Sequence, residues 1–181
     1  NYVAGRGFDP LSNDFYWSPA AGYETRVIVP FRYEGEIVGN TARKVTNGKP
    51  KYLSDQHPHF VFNTDKQSDD QKYIFVCEGP FDAMAIKRNA IPLFGKTITQ
   101  SLMMKLVESE VKTIYLALDK DALKEALDYS QNLINLGKEV YLIELEGKDP
   151  SELGFDNMTK LLHNAKPLSF SDLLLKKIQL I

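Results

Sequence analysis

A chain of 181 residues, 43% of them apolar, has room for one sizeable core or for a main domain with a smaller satellite, and the second is expected here. Its 22 basic and 24 acidic residues leave a net charge of -2, so bulk charge does not mark a nucleic-acid binder and any such affinity must come from local patches. The single cysteine, Cys77, excludes an intramolecular disulfide, and with only three histidines in the chain no structural zinc site is expected.

No apolar run approaches the roughly 18 residues of a membrane span and no signal-peptide pattern opens the chain, so a cytosolic protein with no membrane partner is expected. Position 1 is Asn rather than Met, which suggests a piece of a longer chain.

In chain order, the aromatic run Phe15, Tyr16 and Trp17 reads first as filling for a small core, with stacking on unpaired bases as the alternative. From Arg26, "RVIVPFR", "IVGNTARKV" and "TNGKPKYL" read as short strands. Glu34-Gly35 and Asn47-Gly48 supply the tight turns between them, giving a small antiparallel module. The stretch from Asn40 to Tyr52 holds Arg43, Lys44, Lys49 and Lys51 and no acid, a local basic patch in an otherwise acidic chain. A solvated hairpin face explains Lys44 and Lys49 equally well. "HFVFN" follows, with His57 and His59 just before and at its start, read as a loop rather than a metal site. The polar stretch "TDKQSDDQ" is the best boundary in the sequence.

Beyond it strands alternate with helices. "YIFVC" leads into a helix over Pro80 to Asn89, "IPLFG" into one over Thr99 to Glu110, and "KTIYLAL" into one over Ala122 to Leu136 that Gly137 stops; "KEVYLIEL" is a further strand. This is an α/β pattern with a largely parallel sheet. "FDNMTKLLHNA" and "SFSDLLLKKIQLI" read as closing helices. The expected division is a subdomain over 1–64, the α/β domain over 72–154 and a helical segment over 155–181.

Three of the strands deliver acid at their carboxyl ends, where open α/β sheets bind ligands. "YIFVC" runs into Glu78, "KTIYLAL" into Asp119 with Asp121 one residue beyond, and "KEVYLIEL" is followed by Asp149. In an extended segment the i, i+2 spacing of Asp119 and Asp121 puts both carboxylates on one side. Such a group repels itself unless a cation joins it, and hard oxygen ligands suit Mg²⁺ or Mn²⁺ holding substrate phosphates. Asp82, one turn into the helix opened by Gly79 and Pro80, is placed to contact the ion or its waters. For any single one of these acids, helix capping is the competing explanation.

At these residues the sequence resembles the Toprim domain, the metal-binding fold of DnaG-type primases, type IA and type II topoisomerases and some nucleases. "EGPFDA" is similar to that family's glutamate motif and "LALDKDA" to its Asp-x-Asp motif. "GKDPSEL" is similar to a later Asp-Pro-Asp of primases, with Ser151 standing where the second acid would be. The upstream "RVIVPFRYEGEIVGNTARKVTNGKPKYLSD" resembles the segment that precedes the Toprim fold in DnaG-type primases. The resemblance implies a Toprim fold behind a mainly antiparallel β subdomain and ahead of closing helices.

It also implies a primase core that makes short RNA primers on single-stranded DNA from ribonucleoside triphosphates, with Mg²⁺ or Mn²⁺. Glu78, Asp119 and Asp121 become the catalytic ligands, and Asp82 and Asp149 further metal-site residues. Arg43, Lys51, Tyr52 and Lys44 face phosphates, and Gly95 and Thr97 in "FGKTIT" form a substrate-side turn. A replicative helicase and a separate zinc-binding domain are the implied partners, and the compact module is of phage type. A Toprim nuclease and a non-catalytic single-stranded-DNA-binding subunit are the alternatives.

Overall fold

The computed structural model describes residues 2–12, 14–33, 35–55, 72–86, 89–145 and 149–180. The expected turn residue Glu34, the His57 and His59 loop, the stretch "HFVFN" and the polar boundary segment lie outside the described residues. The chain forms two compact units, Asn1–Asp65 and Lys66–Ile181.

The first unit opens with a short helix, α1 (Tyr2–Gly5), and is built on β1 (Arg26–Tyr33), β2 (Glu36–Lys44) and β3 (Tyr52–Asp55) in the antiparallel order β1-β2-β3. Gly35 has φ 86, as the tight turn after β1 requires. Pro30 is tolerated inside β1 because that strand is at the sheet edge. Ile28, two residues earlier, exchanges both backbone hydrogen bonds with Tyr16 on the outer side, so the N–H that Pro30 lacks points away from β2. Val29, Phe31 and Ala42 fill the core of this unit.

Arg26 is 5% exposed, and its guanidinium donates to the carbonyls of Gly22, Ala42, Pro50 and Lys51, tying the β2–β3 turn to the start of β1. The aromatic run does not fill this core. Tyr16 and Trp17 are 43% and 63% exposed. Local polar bonds hold them outward instead: the Tyr16 hydroxyl accepts from Arg32 at 2.9 Å and the Trp17 indole donates to the Glu24 carbonyl at 2.9 Å. Half-buried Phe15 packs on Phe8 with ring centres 5.7 Å apart.

The second unit contains β4 (Tyr73–Cys77), α2 (Pro80–Ile86), β5 (Ala90–Pro92), α3 (Gln100–Glu108), β6 (Thr113–Ala117), α4 (Leu123–Asn135), β7 (Glu139–Leu142), α5 (Pro150–Asn164) and α6 (Phe170–Ile178). Its four strands are parallel in the order β5-β4-β6-β7. Ile74, Phe75, Val76 and Cys77 are all buried, as a strand covered on both faces requires. Phe75, Tyr115 and Tyr141 are aligned in register across three strands, with successive ring centres 4.7 Å apart. On the opposite face Leu118, Ala122 and Ala126 cluster with Leu93, Tyr129 and Leu142 beneath α4. The α2 helix packs on α5, and α4 on α6 and β7.

The helices start where local chemistry places them. Thr99 caps α3 through the Leu102 N–H, and Ser169 and Asp172 form a reciprocal capping box on α6. The helix expected after β4 is described over Pro80–Ile86, and α5 begins at Pro150, ahead of the expected helical segment, with a break at Gly154, φ 75. Gly39 is the position where only glycine fits: a Cβ there would lie 2.4 Å from the Asp55 carbonyl oxygen. Among the described residues no helix is long and apolar enough to cross a membrane.

Candidate functional site

The order β5-β4-β6-β7 reverses direction at β4: the chain goes to one side for β5, then crosses to the other for β6 and β7. The carboxyl ends of β4 and β6 therefore flank a topological switch point, where the connections diverge and leave a crevice. Cys77 and Ala117 are level in the register, so Glu78 and Asp119 emerge side by side just beyond. Glu78 Oε1 accepts the Asp119 backbone N–H at 3.1 Å, which fixes the glutamate against the neighbouring strand end.

Asp121 joins them, but not through an extended segment. Lys120–Ala122 is a single 3₁₀ turn, and Asp119 stands at its N-terminal cap position without making a side-chain capping bond. Each of Glu78, Asp119 and Asp121 offers a carboxylate oxygen, all within 4.8 Å of one another. Two members are half-buried and Asp121 is exposed, so the group is open on one side. Partial burial, then the neighbouring Asp119, raises the Glu78 carboxyl above its ordinary value.

This donor set fits a divalent ion: hard oxygens, too few to complete a shell, with an open side for water or phosphate. The observation that supports the fit is geometric: three carboxylate oxygens lie within 4.8 Å of one another, two of them on half-buried residues, where burial and then the neighbouring Asp119 disfavour the charged form of Glu78 unless a cation is near.

Asp82 and Asp149 are engaged differently. Asp82, only 7% exposed, accepts the Gly79 N–H at 3.0 Å and the Ser151 N–H at 3.2 Å, clasping the starts of α2 and α5 together. Burial and the nearby Asp149 push its carboxyl up to about 7. Asp149 caps α5, accepting from Glu152 N at 2.8 Å and from the Ser151 hydroxyl at 2.7 Å. Ser151, found where the resemblance implies a second acid, is 5% exposed. Its backbone and hydroxyl each serve one of these carboxylates.

Gly95 and Thr97 lie on the loop between β5 and α3, at the same edge of the sheet. Gly95 has φ 154, a conformation that side chains rarely adopt. The residue between them was not singled out from sequence: the Lys96 ammonium forms an ion pair with the Asp121 carboxylate and donates to the Asp121 carbonyl at 3.2 Å. Asp121 is held below its usual range by that lysine, and Lys96 above its own by the aspartate. A lysine in a loop at the carboxyl edge of the strand beside β4 was the available signal, readable only once the strand order is known.

In the first unit Arg43 and Tyr52 face each other across β2 and β3. The Arg43 guanidinium lies over the rings of Tyr2 and Tyr52, 5.6 Å and 5.0 Å from their centres, and donates to the Tyr52 hydroxyl. Lys51 is exposed, and the half-buried Lys44 side chain runs over Gly48. The basic patch is thus one immobilised arginine flanked by lysines.

A family model described as Toprim-like matches residues 75–153, which contain the whole acid cluster. A DNA primase of Thermotoga maritima is 26% identical, with 82% of this chain and 30% of that protein covered. A DNA primase domain from Pseudomonas aeruginosa is 25% identical with a TM-score of 0.68, covering 86% of this chain and 57% of that one. The DnaG primase catalytic domain bound to ssDNA gives a TM-score of 0.68 at 20% identity over 98% of this chain and 67% of that one. The parallel sheet with its acidic switch point is a Toprim domain. With the antiparallel unit ahead of it, the chain is similar to DnaG-type DNA primases, and it spans less than a third of the length of the Thermotoga relative.

Proposed function

We propose that this chain is the catalytic core of a DnaG-type primase, joining ribonucleotides into short RNA primers on single-stranded DNA. The observation that carries the reading is the meeting of Glu78, Asp119 and Asp121 within 4.8 Å at the switch point of a Toprim domain. Their fit to Mg²⁺ or Mn²⁺ is chemical: hard, partly desolvated oxygens with one side open. A bound divalent ion there supplies Lewis-acid activation of the primer 3′-hydroxyl and neutralises charge on the leaving pyrophosphate.

The chain's own side chains do the rest. Glu78 and Asp119, locked by the 3.1 Å bond between them, fix the ligand positions, while exposed Asp121 adapts to the occupant. Asp82 and Asp149 hold the adjoining helix starts and, on this reading, order the water around the ligands. Gly95 and Thr97 give the triphosphate a close backbone approach. In the first unit Arg43, with Tyr52 stacked on it, and Lys51 and Lys44 neutralise template or primer phosphates. Tyr16 and Trp17, held outward, offer faces to unpaired bases. A helicase and a zinc-binding domain for template choice are the partners this role calls for.

The test is to incubate the chain with mixed-sequence single-stranded DNA, Mg²⁺ or Mn²⁺ and labelled ribonucleotides, beside Asp119→Asn. Short RNAs from the wild type, reduced at least 100-fold in the variant, are expected; about 3 kcal/mol of lost charge stabilisation corresponds to that factor. Degraded DNA without RNA would replace the reading with a nuclease. DNA binding with no chemistry, unchanged in Asp119→Asn, would replace it with a binding subunit.

A further inference from the structure

Lys96 is delivered to the acid cluster by a loop pinned at both ends. Leu93 N–H bonds the Cys77 carbonyl at 2.8 Å, beside Glu78, and the Leu93 side chain packs into the apolar cluster under α4. At the other end Ile98 N–H bonds the Tyr129 hydroxyl at 3.0 Å and Thr99 caps α3. Between these anchors Phe94, φ 56, and Gly95, φ 154, both adopt positive φ, and for phenylalanine that is a costly conformation which persists because the anchors impose it. The turn they make carries the ammonium onto Asp121, the exposed member of the cluster. Lys96 is partly exposed and Asp121 largely so, at 39% and 72% of their side-chain surface, so the pair is cheap to break.

We propose that Lys96 is a resident counter-ion of the acid cluster and works by exchange. Asp121 is paired to Lys96 while no divalent ion is bound; it surrenders the lysine when it becomes an ion ligand, and the freed ammonium meets the triphosphate of the incoming nucleotide. The exchange rests on the reading of Glu78, Asp119 and Asp121 as ion ligands. It follows from charge. Three carboxylates within 4.8 Å repel one another and favour a nearby cation, and among the described residues Lys96 is a cation paired with one of them. Once an ion takes that place, an ammonium on a short tether is left beside a site that now attracts polyphosphate. Lys96 is therefore a positioning residue for the empty site and a substrate-binding residue for the loaded one.

The test measures ion binding directly, by the loss of the free Mn²⁺ resonance signal on titration into wild type, Lys96→Met, Lys120→Met and Asp119→Asn. Lys120 is an exposed neighbour on the 3₁₀ turn, so its variant removes one charge from the same region and serves as the control. Lys96→Met is expected to bind Mn²⁺ about two- to fivefold more tightly than wild type, since a solvated ion pair no longer competes, and more tightly than Lys120→Met. Mn²⁺-loaded Lys96→Met is expected to bind a fluorescent nucleoside triphosphate at least fivefold more weakly than the loaded wild type. Equal Mn²⁺ affinity in Lys96→Met and Lys120→Met, or unchanged nucleotide binding by loaded Lys96→Met, overturns the exchange. Failure of the underlying reading looks different: wild type and Asp119→Asn would then take up Mn²⁺ alike, or not at all.

Discussion

Replacing Asp82 by Asn should reverse its effect on stability between mildly acid and mildly alkaline pH. In the fold this carboxyl is 7% exposed and is raised from 3.8 to about 7, by burial first and by Asp149 second, against the lowering effect of the Ser151 and Gly79 N–H bonds. A carboxyl raised on folding favours the fold fully below its unfolded pKa, and that contribution is lost as pH climbs to the folded value. The window thus runs from about pH 4 to about pH 7, and across it the charged form costs about 4 kcal/mol. Between pH 5 and 8.5 the wild type should lose about 3 kcal/mol through this group. Asn carries no charge, which removes that slope, but it has one acceptor where Asp82 uses both oxygens on two N–H groups. An unsatisfied buried N–H costs about 1–3 kcal/mol at every pH.

Asp82→Asn should accordingly be less stable than wild type at pH 5 and equal or more stable at pH 8.5. The assay is urea unfolding in chelator at a series of pH values, followed by far-UV circular dichroism because the long helices lie in the second unit. Taking the difference between the two proteins removes groups common to both, including Glu78, whose shift runs the same way. Parallel profiles for the two proteins would refute the reasoning.

Gly39→Ala should destabilise the first unit by about 1–3 kcal/mol, because the new methyl meets backbone at 2.4 Å and the Phe31 ring at 3.1 Å. Fluorescence of Trp17, the single tryptophan, follows that unit in a urea melt, and an unchanged midpoint would count against the close approach. Trp17→Ala should leave stability within about 0.5 kcal/mol, since the side chain is 63% exposed. It should weaken single-stranded DNA binding by about 1–3 kcal/mol if the ring stacks on a base. Equal affinity in a fluorescence-anisotropy titration removes Trp17 from the interface.

Much of the architecture was legible because the local signals agree. Apolar "YIFVC" reads as a strand covered on both faces, and the helices read from Thr99 and from "SFSDLLLKKIQLI" start at side chains, Thr99 and Ser169, that cap them. The acids were visible for the same reason, each interrupting the grammar at the end of a buried strand. The aromatic run misled because composition alone cannot say whether a large apolar ring is covered; single hydrogen bonds to Glu24 and Arg32 hold Trp17 and Tyr16 outward.

The sequence by itself determined most element types, the change from antiparallel strands to strands alternating with helices, and which acids stand at strand ends. Sorting those acids belonged to the tertiary structure. Strand order brings Glu78 and Asp119 side by side across β4 and β6, while the packing of α2 on α5 engages Asp82 and Asp149 in backbone bonds at the helix starts. Lys96 shows the difference most sharply. It reaches Asp121, 25 residues away in sequence, only because β5 lies beside β4 and a pinned loop turns back over the sheet edge. Propensity and periodicity act over a few residues, whereas charge acts across whatever distance the fold has closed.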